Sequence, residues 1–386
     1  MGHAPTRRPD VRRPENPLWR NTVRADTRVM TAPSTPRTTT TAVRPADGRG
    51  DVVVRPLAVH DDAEVTAAHA AVSASRSHER PWAKQLSLRE LTVDLCTPSS
   101  VERLEPWVAL VDGEVAGLAL QWFPLLDNTR FCWGELDVDP RLRGRGAGGA
   151  LLERVVDRTR EEGRTTVLVE THVPDDARAD HPHVRFAERH GFTWANTEIR
   201  RLLDVPVDPS RLDQLAAEAA TRHEGYRVES FVGRLPDELV ASYCDCSNQL
   251  AVDAPTGEVE FEEEALDPQT YAENLERFER QGRRMLHTVA VAPGGEVVGY
   301  NDLVLSVDDP DEVMQWGTLV RREHRGHRLG MALKVRGLQE LARVAPAARH
   351  VQTCNAEQND QMVGINVELG FRRVEALLAY QRHVGD

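Results

Sequence analysis

The sequence predicts a two-domain protein of the α/β class, with strands and helices following one another in each domain. Three observations carry this. The chain has 386 residues, enough for two domains at roughly 150 residues each. Segments around Gly113 recur around Gly295 at a fixed spacing. In both copies an apolar run, a glycine-rich turn and an amphipathic run follow one another.

The repeat is read as follows. Trp107 to Gln121 holds Asp112-Gly113 between two apolar runs, a two-residue hairpin signal. Gly113 and Gly117 match Gly295 and Gly299, an offset of 182. Val138, Arg143-Gly144 and Gly148 match Val320, Arg325-Gly326 and Gly330 at the same offset. Gly191-Phe192 matches Gly370-Phe371 at 179. One register over four elements assigns two copies of one domain, 51–204 and 225–386. Between them, Asp208-Pro209-Ser210 opens a polar and alanine-rich segment that Gly225 closes. It reads as a linking helix within 205–224.

Residues 1–50 carry ten Arg and four acidic residues, are rich in Pro and Thr, and read as a disordered basic tail. Arg7-Arg8 and Arg12-Arg13 precede no apolar stretch, so no secretory signal is expected, and Met30 stands as an alternative translation start. The whole chain has 48 basic and 61 acidic residues, a net charge of -13, so the folded pair is strongly acidic. Such a body argues against wrapping nucleic acid. No run of eighteen apolar residues exists, which argues against a membrane span. Five scattered cysteines make no disulfide framework and fit a reducing cytoplasm. Only Lys84 and Lys334 are lysines; the other basic residues are Arg.

In the first copy the strand-like run Phe131 to Val138 leads into the turn Arg143 to Gly148. The helical stripe Leu151, Leu152, Val155, Val156 follows. In the second, Gln315 to Val320 leads into Arg325 to Gly330, and the stripe is Leu338, Leu341, Ala342, Ala345. A strand, a glycine-rich turn and a helix start together suit an anionic phosphate, because the first helical N–H groups lack internal partners. Neither turn ends in Gly-Lys-Ser/Thr, and neither reads GxGxxG. A P-loop is therefore excluded and a dinucleotide turn disfavoured.

These residues resemble the GCN5-related N-acetyltransferase (GNAT) superfamily. Its central motif is a strand ending in Val, then Arg/Gln-x-x-Gly-x-Gly/Ala. The first copy supplies Val138 and Arg143-x-x-Gly146-x-Gly148; the second supplies Val320 and Arg325-x-x-Arg328-x-Gly330, with Arg328 replacing a glycine. A second motif, Asn-x-x-Ala-x-x-Phe-Tyr-x-x-x-Gly-Phe, is similar to Asn359 through Gly370-Phe371. Asp180 through Gly191-Phe192 has lost its Asn and Tyr. The tandem layout is similar to actinobacterial two-domain acetyltransferases such as mycothiol synthase.

The resemblance implies two tandem GNAT domains, each a mixed, mostly antiparallel sheet flanked by helices. It implies an acetyl-CoA-dependent N-acetyltransferase in which a primary amine attacks the thioester directly, with no metal. The cofactor would meet Val138, Arg143, Gly144, Arg145, Gly146, Ala147 and Gly148 in the first copy. In the second it would meet Val320, Arg325, Gly326, His327, Arg328, Leu329, Gly330, Asn355 and Asn359. Pantetheine would lie between splayed strands, Phe131–Val138 with Thr166–Glu170, and Gln315–Val320 with Val351–Cys354. A main-chain N–H near Val138 or Val320 would polarise the carbonyl. Asn366 falls where a general-acid Tyr often sits. Glu135 is either the general base or a solvated strand carboxylate. Tyr380 either protonates the leaving thiolate in the second copy or is a core tyrosine. Glu258, Glu260, Glu262, Glu263 and Glu264 either attract a cationic amine or form a solvated face. His172, His181, His183 and His190 read as a loop of satisfied histidines. The second copy, with its Asn motif, is expected to be the active half. The acceptor is expected to be a small-molecule amine. A protein amine, a non-catalytic acyl-CoA-binding or regulatory role, and a tRNA-dependent aminoacyl transfer stay as alternatives. Oligomeric state is left open.

Overall fold

A computed structural model describes residues 41–43, 51–253, 257, 259, 261–262 and 266–385. The basic tail outside Thr41–Val43, the alternative start at Met30, and Glu258, Glu260, Glu263 and Glu264 lie outside the described residues. Thr41–Val43, expected within the tail, is instead a short strand, β1, paired with Val52–Val54.

The first copy runs β2 (Val52–Pro56), α1 (Asp62–Ser77), α2 (Leu88–Cys96), β3 (Glu102–Val111), β4 (Glu114–Pro124) and β5 (Phe131–Val138). It continues through α3 (Ala147–Glu161), β6 (Thr166–Val173), α4 (Pro182–Arg189) and β7 (Thr193–Asp204). Local chemistry sets these bounds. Asp61 caps α1, and Ser87 with Glu90 forms a reciprocal capping box on α2. Asp112 and Gly113 take positive φ values of 51° and 84° between β3 and β4, as a tight primed hairpin requires. The linking helix α5 spans Pro209–Ala220, with Asp208 capping and Pro209 in its first turn.

The second copy repeats the order: β8 (Arg227–Val232), α6 (Asp237–Asn248), α7 (Leu250–Asp253), α8 (Pro268–Arg280), β9 (Arg283–Val291), β10 (Val297–Ser306) and β11 (Glu312–Val320). Then come α9 (Leu329–Val344), β12 (His350–Ala356), α10 (Asp360–Leu369) and β13 (Arg372–His383). All described strands join one sheet, ordered β1-β2-β3-β4-β5-β6-β13-β7-β12-β11-β10-β9-β8. Neighbours run antiparallel except two parallel pairs, β5 with β6 and β11 with β12. The sheet is mixed, mostly antiparallel and flanked by helices, as the resemblance implies, but it is continuous across both copies.

The order at the centre is not simple juxtaposition. The last strand of the second copy, β13, lies between β6 and β7; the last strand of the first, β7, lies between β13 and β12. Each copy therefore completes its sheet with a strand of the other. The registers obey the same symmetry: Thr166 stands opposite His383, and His350 opposite Asp204. Helices cover both faces. In the first copy α3 and α4 bury Leu151, Val155, Val156 and Val184 against one face, and α1 and α2 bury Val65, Val72 and Leu91 against the other. Ala376, Leu378, Tyr380 and Val384, carried in with and just after β13, belong to the first copy's core. In the second, α5 and α9 cover one face and α6 and α8 the other.

Candidate acyl-transfer site

The two turns have the same construction. After β5, Gly144 and Gly146 take φ values of 81° and 99°, and α3 begins with no side-chain cap. Arg143 Nε donates to Val138 O at 3.1 Å and its Nη2 to Ser75 Oγ at 3.2 Å. After β11, Gly326 and Arg328 take φ values of 86° and 52°, and α9 is also uncapped. Arg325 Nε donates to Val320 O at 3.1 Å. Arg328, the departure from the glycine motif, thus adopts the same left-handed conformation as Gly146, at the steric penalty a β-carbon brings. By contrast α1, α2, α5, α8 and α10 are all capped by side chains. Bare N–H groups at a helix start are an anion site. At the third turn glycine, a β-carbon on Gly148 would meet the Phe186 ring at 3.5 Å, and one on Gly330 the Ile365 side chain at 3.0 Å.

The strands leading into each turn part from their parallel neighbours. β5 pairs with β6 only from Phe131 to Gly134, and β11 with β12 only from Glu312 to Met314. Beyond those points each pair opens into a wedge, as expected for a thin ligand lying between strands.

On one side of the first wedge lie Glu135 and Asp137 of β5 and Glu170 and His172 of β6. Arg76 of α1 reaches over them, with Nε 3.0 Å from Asp137 Oδ2 and Nη2 2.5 Å from Glu135 Oε2. The Glu170 side chain is exposed, yet protein atoms crowd around it. That desolvation, with repulsion from Glu198 and Glu135 and against attraction from Arg200, pushes its carboxyl up to about 7. Glu198 on β7 is pushed up by the same burial. Beside them Glu375 of the exchanged strand β13 is buried. It accepts from Arg80 Nε and Nη2, both at 2.7 Å, and stands 2.7 Å from Arg200 Nε and 3.1 Å from His172 Nδ1. Burial would raise the Glu375 carboxyl, but Arg80 and His172 outweigh it and hold it far below the carboxylate range. Burial pushes His172 down to about 4, so it is neutral at pH 7. Val259 and Phe261 of the second copy close one wall, Phe261 stacking on Trp133 at 6.1 Å between centroids. Glu262, from the acidic run, exchanges hydrogen bonds with the Asn128 side chain and main chain.

The second wedge differs. Where Glu135 stands in the first copy, the second has Gly317, whose missing β-carbon would lie 2.5 Å from the Tyr300 hydroxyl. Where Glu170 stands opposite Ala379, Cys354 stands opposite Arg200, its thiol pushed up to about 12 by burial. The turn arginines are also engaged: Arg322 and Arg325 hold the Asp253 carboxylate at 2.7 and 2.8 Å. No carboxylate therefore faces the second wedge at these two positions.

The remaining residues named from the sequence fall as follows. Asn359 caps α10, accepting from Met362 N, and Asn366 is fully buried between Lys334 and Asn355. Tyr380 is buried in the first copy, not the second, because β13 is exchanged. His327 bonds Arg222 O, and Arg145 lies 3.6 Å from Asp112. His181 caps α4, His183 lies 3.4 Å from His172 O, and His190 bonds Phe186 O. Among the described residues no group of three His, Cys, Asp or Glu side chains is placed to hold a metal. No described helix is long and apolar enough to cross a membrane. Sequence reasoning missed Glu170, Glu198 and Glu375. Their signal was a carboxylate within an otherwise apolar strand, at Glu170 in TVLVETHV and Glu375 in RRVEALLAY.

Residues 71–192 match the model of the acetyltransferase (GNAT) family. A curated relative, the L-2,4-diaminobutyric acid acetyltransferase of Nocardia farcinica, is 35% identical over 103 residues, 26% of this chain and 51% of its own. The chain thus spans about half the length of that relative. A tandem GNAT protein from the clavulanic acid biosynthesis pathway superposes with a TM-score of 0.69 at 25% identity, over 87% of this chain and 99% of its own. A GCN5-related N-acetyltransferase from Sphaerobacter thermophilus superposes at 0.57 and 17% identity, over 88% and 97%, which speaks for the fold alone. Residues 71–192 thus carry a GNAT-family domain, and the whole chain shares its fold with a tandem GNAT protein.

Proposed function

We propose that the protein is an N-acetyltransferase that uses acetyl-CoA to acetylate a primary amine of a small molecule, at the wedge of the first copy. Glu170 carries the reading: an exposed carboxyl beside the wedge, raised to about 7 by the protein crowded around it, can take a proton from an ammonium. The residues present fit the cofactor. The uncapped start of α3, Arg143, and the left-handed Gly144 and Gly146 would hold its pyrophosphate, and the gap between β5 and β6 its arm. When bound, acetyl-CoA supplies an activated acetyl thioester. Arg76 fixes Glu135 and Asp137; Glu135, free of a second cation among the contacts described, helps hold the incoming ammonium. Glu170 receives its proton. Phe261 and Trp133 form an apolar wall beside these carboxylates.

The relative's named acceptor, diaminobutyric acid, supports a small amine with its own carboxylate. The carboxylates and guanidinium groups beside this wedge suit such a molecule. The domain bounds 51–204 and 225–386, with linking segment 205–224, and a cytoplasmic location belong to the same reading. The second copy, with Gly317, Cys354 and the engaged Asp253, favours a non-catalytic role for that half.

The test is thiol release from acetyl-CoA by the full chain over a panel of small amines. Glu170→Gln should lower kcat/KM about 100-fold, the usual worth of a general base. Because the base form exists only above its pKa, the wild-type rate should fall as pH drops below about 7. A Glu170→Gln enzyme with full activity, or silence across the panel, would refute the proposal.

A further inference from the structure

The two copies share backbone and register, yet the layer between sheet and helices differs in kind. In the first copy it holds Ala119, Leu136, Leu152, Val169, Ala187 and Tyr380. The same places in the second hold Asn301, Thr318, Lys334, Thr353, Asn366 and, on the exchanged strand β7, Arg201. The first copy shows that the fold does not need these polar groups.

Two of them are cations. Lys334 is 1% exposed and Arg201 2%. Lys334 Nζ donates to Asn366 Oδ1 at 2.9 Å, and Asn366 Nδ2 donates in turn to Asn355 Oδ1 at 2.5 Å. Arg201 donates from Nη1 to Ile199 O at 3.2 Å. Among the described residues no carboxylate is paired with Lys334, and its charged neighbour is Arg201, which repels it. Burial and that repulsion push the amine down to about 7. Arg201 feels Glu357 and Asp175, but both are held by Arg178 and Arg373. The ammonium has a neutral amide as its hydrogen-bond acceptor and the Phe371 ring 5.6 Å away, but no counter-charge; an anion beside it removes the penalty of burying it. In a chain with only two lysines among 48 basic residues, one is spent here. Asn355 lies on β12 beyond the last pairing with β11, at the mouth of the second wedge. The polar layer is therefore continuous with an opening.

We propose that the interior of the second copy is a binding site for a carboxylate group, entering by the β11–β12 wedge, with Lys334 and Arg201 as its counter-charges. The carboxylate belongs either to a free small dicarboxylic acid or to the acyl end of a CoA thioester. This site is independent of the acetyl-transfer reading of the first copy.

The test uses the full chain with malonate, malonyl-CoA and acetyl-CoA, followed by native mass spectrometry and calorimetry. Lys334→Leu installs the first copy's own residue, so the ligand-free variant should melt at or above the wild-type temperature. Lys334→Met serves if Leu crowds the site. Loss of one charge-assisted contact should weaken carboxylate binding about tenfold or more. Malonate binding that weakens in the variant identifies a free acid. Malonyl-CoA binding that weakens while acetyl-CoA binding does not, with malonate inert, identifies the thioester. Equal affinities of wild type and variant for both malonyl probes, or no binding of either, would overturn the proposal. So would variants that both melt well below the wild type, since the lysine would then be structural.

Discussion

Expressed alone, residues 51–204 should fail to fold as a stable monomer, and 205–386 likewise. Without β13, the first copy loses the strand between β6 and β7 and, with it, Ala376, Leu378, Tyr380 and Val384 from its core. Each large apolar side chain contributes about 1.5–3 kcal/mol on burial. Their sum approaches the ~5–15 kcal/mol of net stability a domain has. The stub would also expose two unpaired strand edges, which invite aggregation. Mixing or co-expressing the two pieces should restore one complex of 1:1 composition. Circular dichroism, size exclusion and urea melts of each piece and of the mixture check this. A cooperative, monomeric 51–204 of undiminished stability would show that the exchange is dispensable.

Replacing Glu375 by alanine should destabilise the full chain by about 3–5 kcal/mol, the range for removing one partner of a buried ion cluster. The residue is 1% exposed and neutralises Arg80 and Arg200 at once, so its loss leaves two guanidinium groups facing each other in a desolvated seam. The pH dependence has a definite sign. The folded carboxyl lies far below its ordinary 4.5, so its contribution is complete above pH 4.5 and is lost as the pH falls below that value. Glu375→Gln should remove most of that acid sensitivity and destabilise as well. Urea titrations between pH 3 and 8 read both effects. An alanine variant within 1 kcal/mol of wild type would mean that water or rearrangement replaces the clamp.

Much of this architecture was readable along the chain. The 182-residue offset, the hairpin at Asp112-Gly113, the helix cap at Asp208-Pro209 and both turns are local signals, and each turn closes on its own strand through Arg143 or Arg325. The strand exchange was not readable. RRVEALLAY alternates no differently whether its neighbours are β6 and β7 or β12 and β7, and choice of partner is a long-range matter. That is why Tyr380 was placed in the second copy. Glu170 was invisible for a related reason. Its chemistry comes from Glu198 and Arg200, on a strand twenty-eight and thirty residues away, and no spacing rule joins them. The second copy was favoured because its Asn motif was intact. Asn359 turns out to cap a helix, and the carboxylates lie elsewhere.

The seam between β7 and β13 has one more consequence. Two identical chains meeting by this exchange would form an isologous dimer, in which every residue appears twice and any change is made on both sides. Covalent linkage through α5 lifts that constraint. It also replaces association by an effective local concentration, so closure of the seam does not depend on how dilute the protein is. One side can then hold Glu170 while its mirror place holds Cys354, and Tyr380 can occupy the place that Arg201 takes on the other side, across a symmetry that only the backbone obeys.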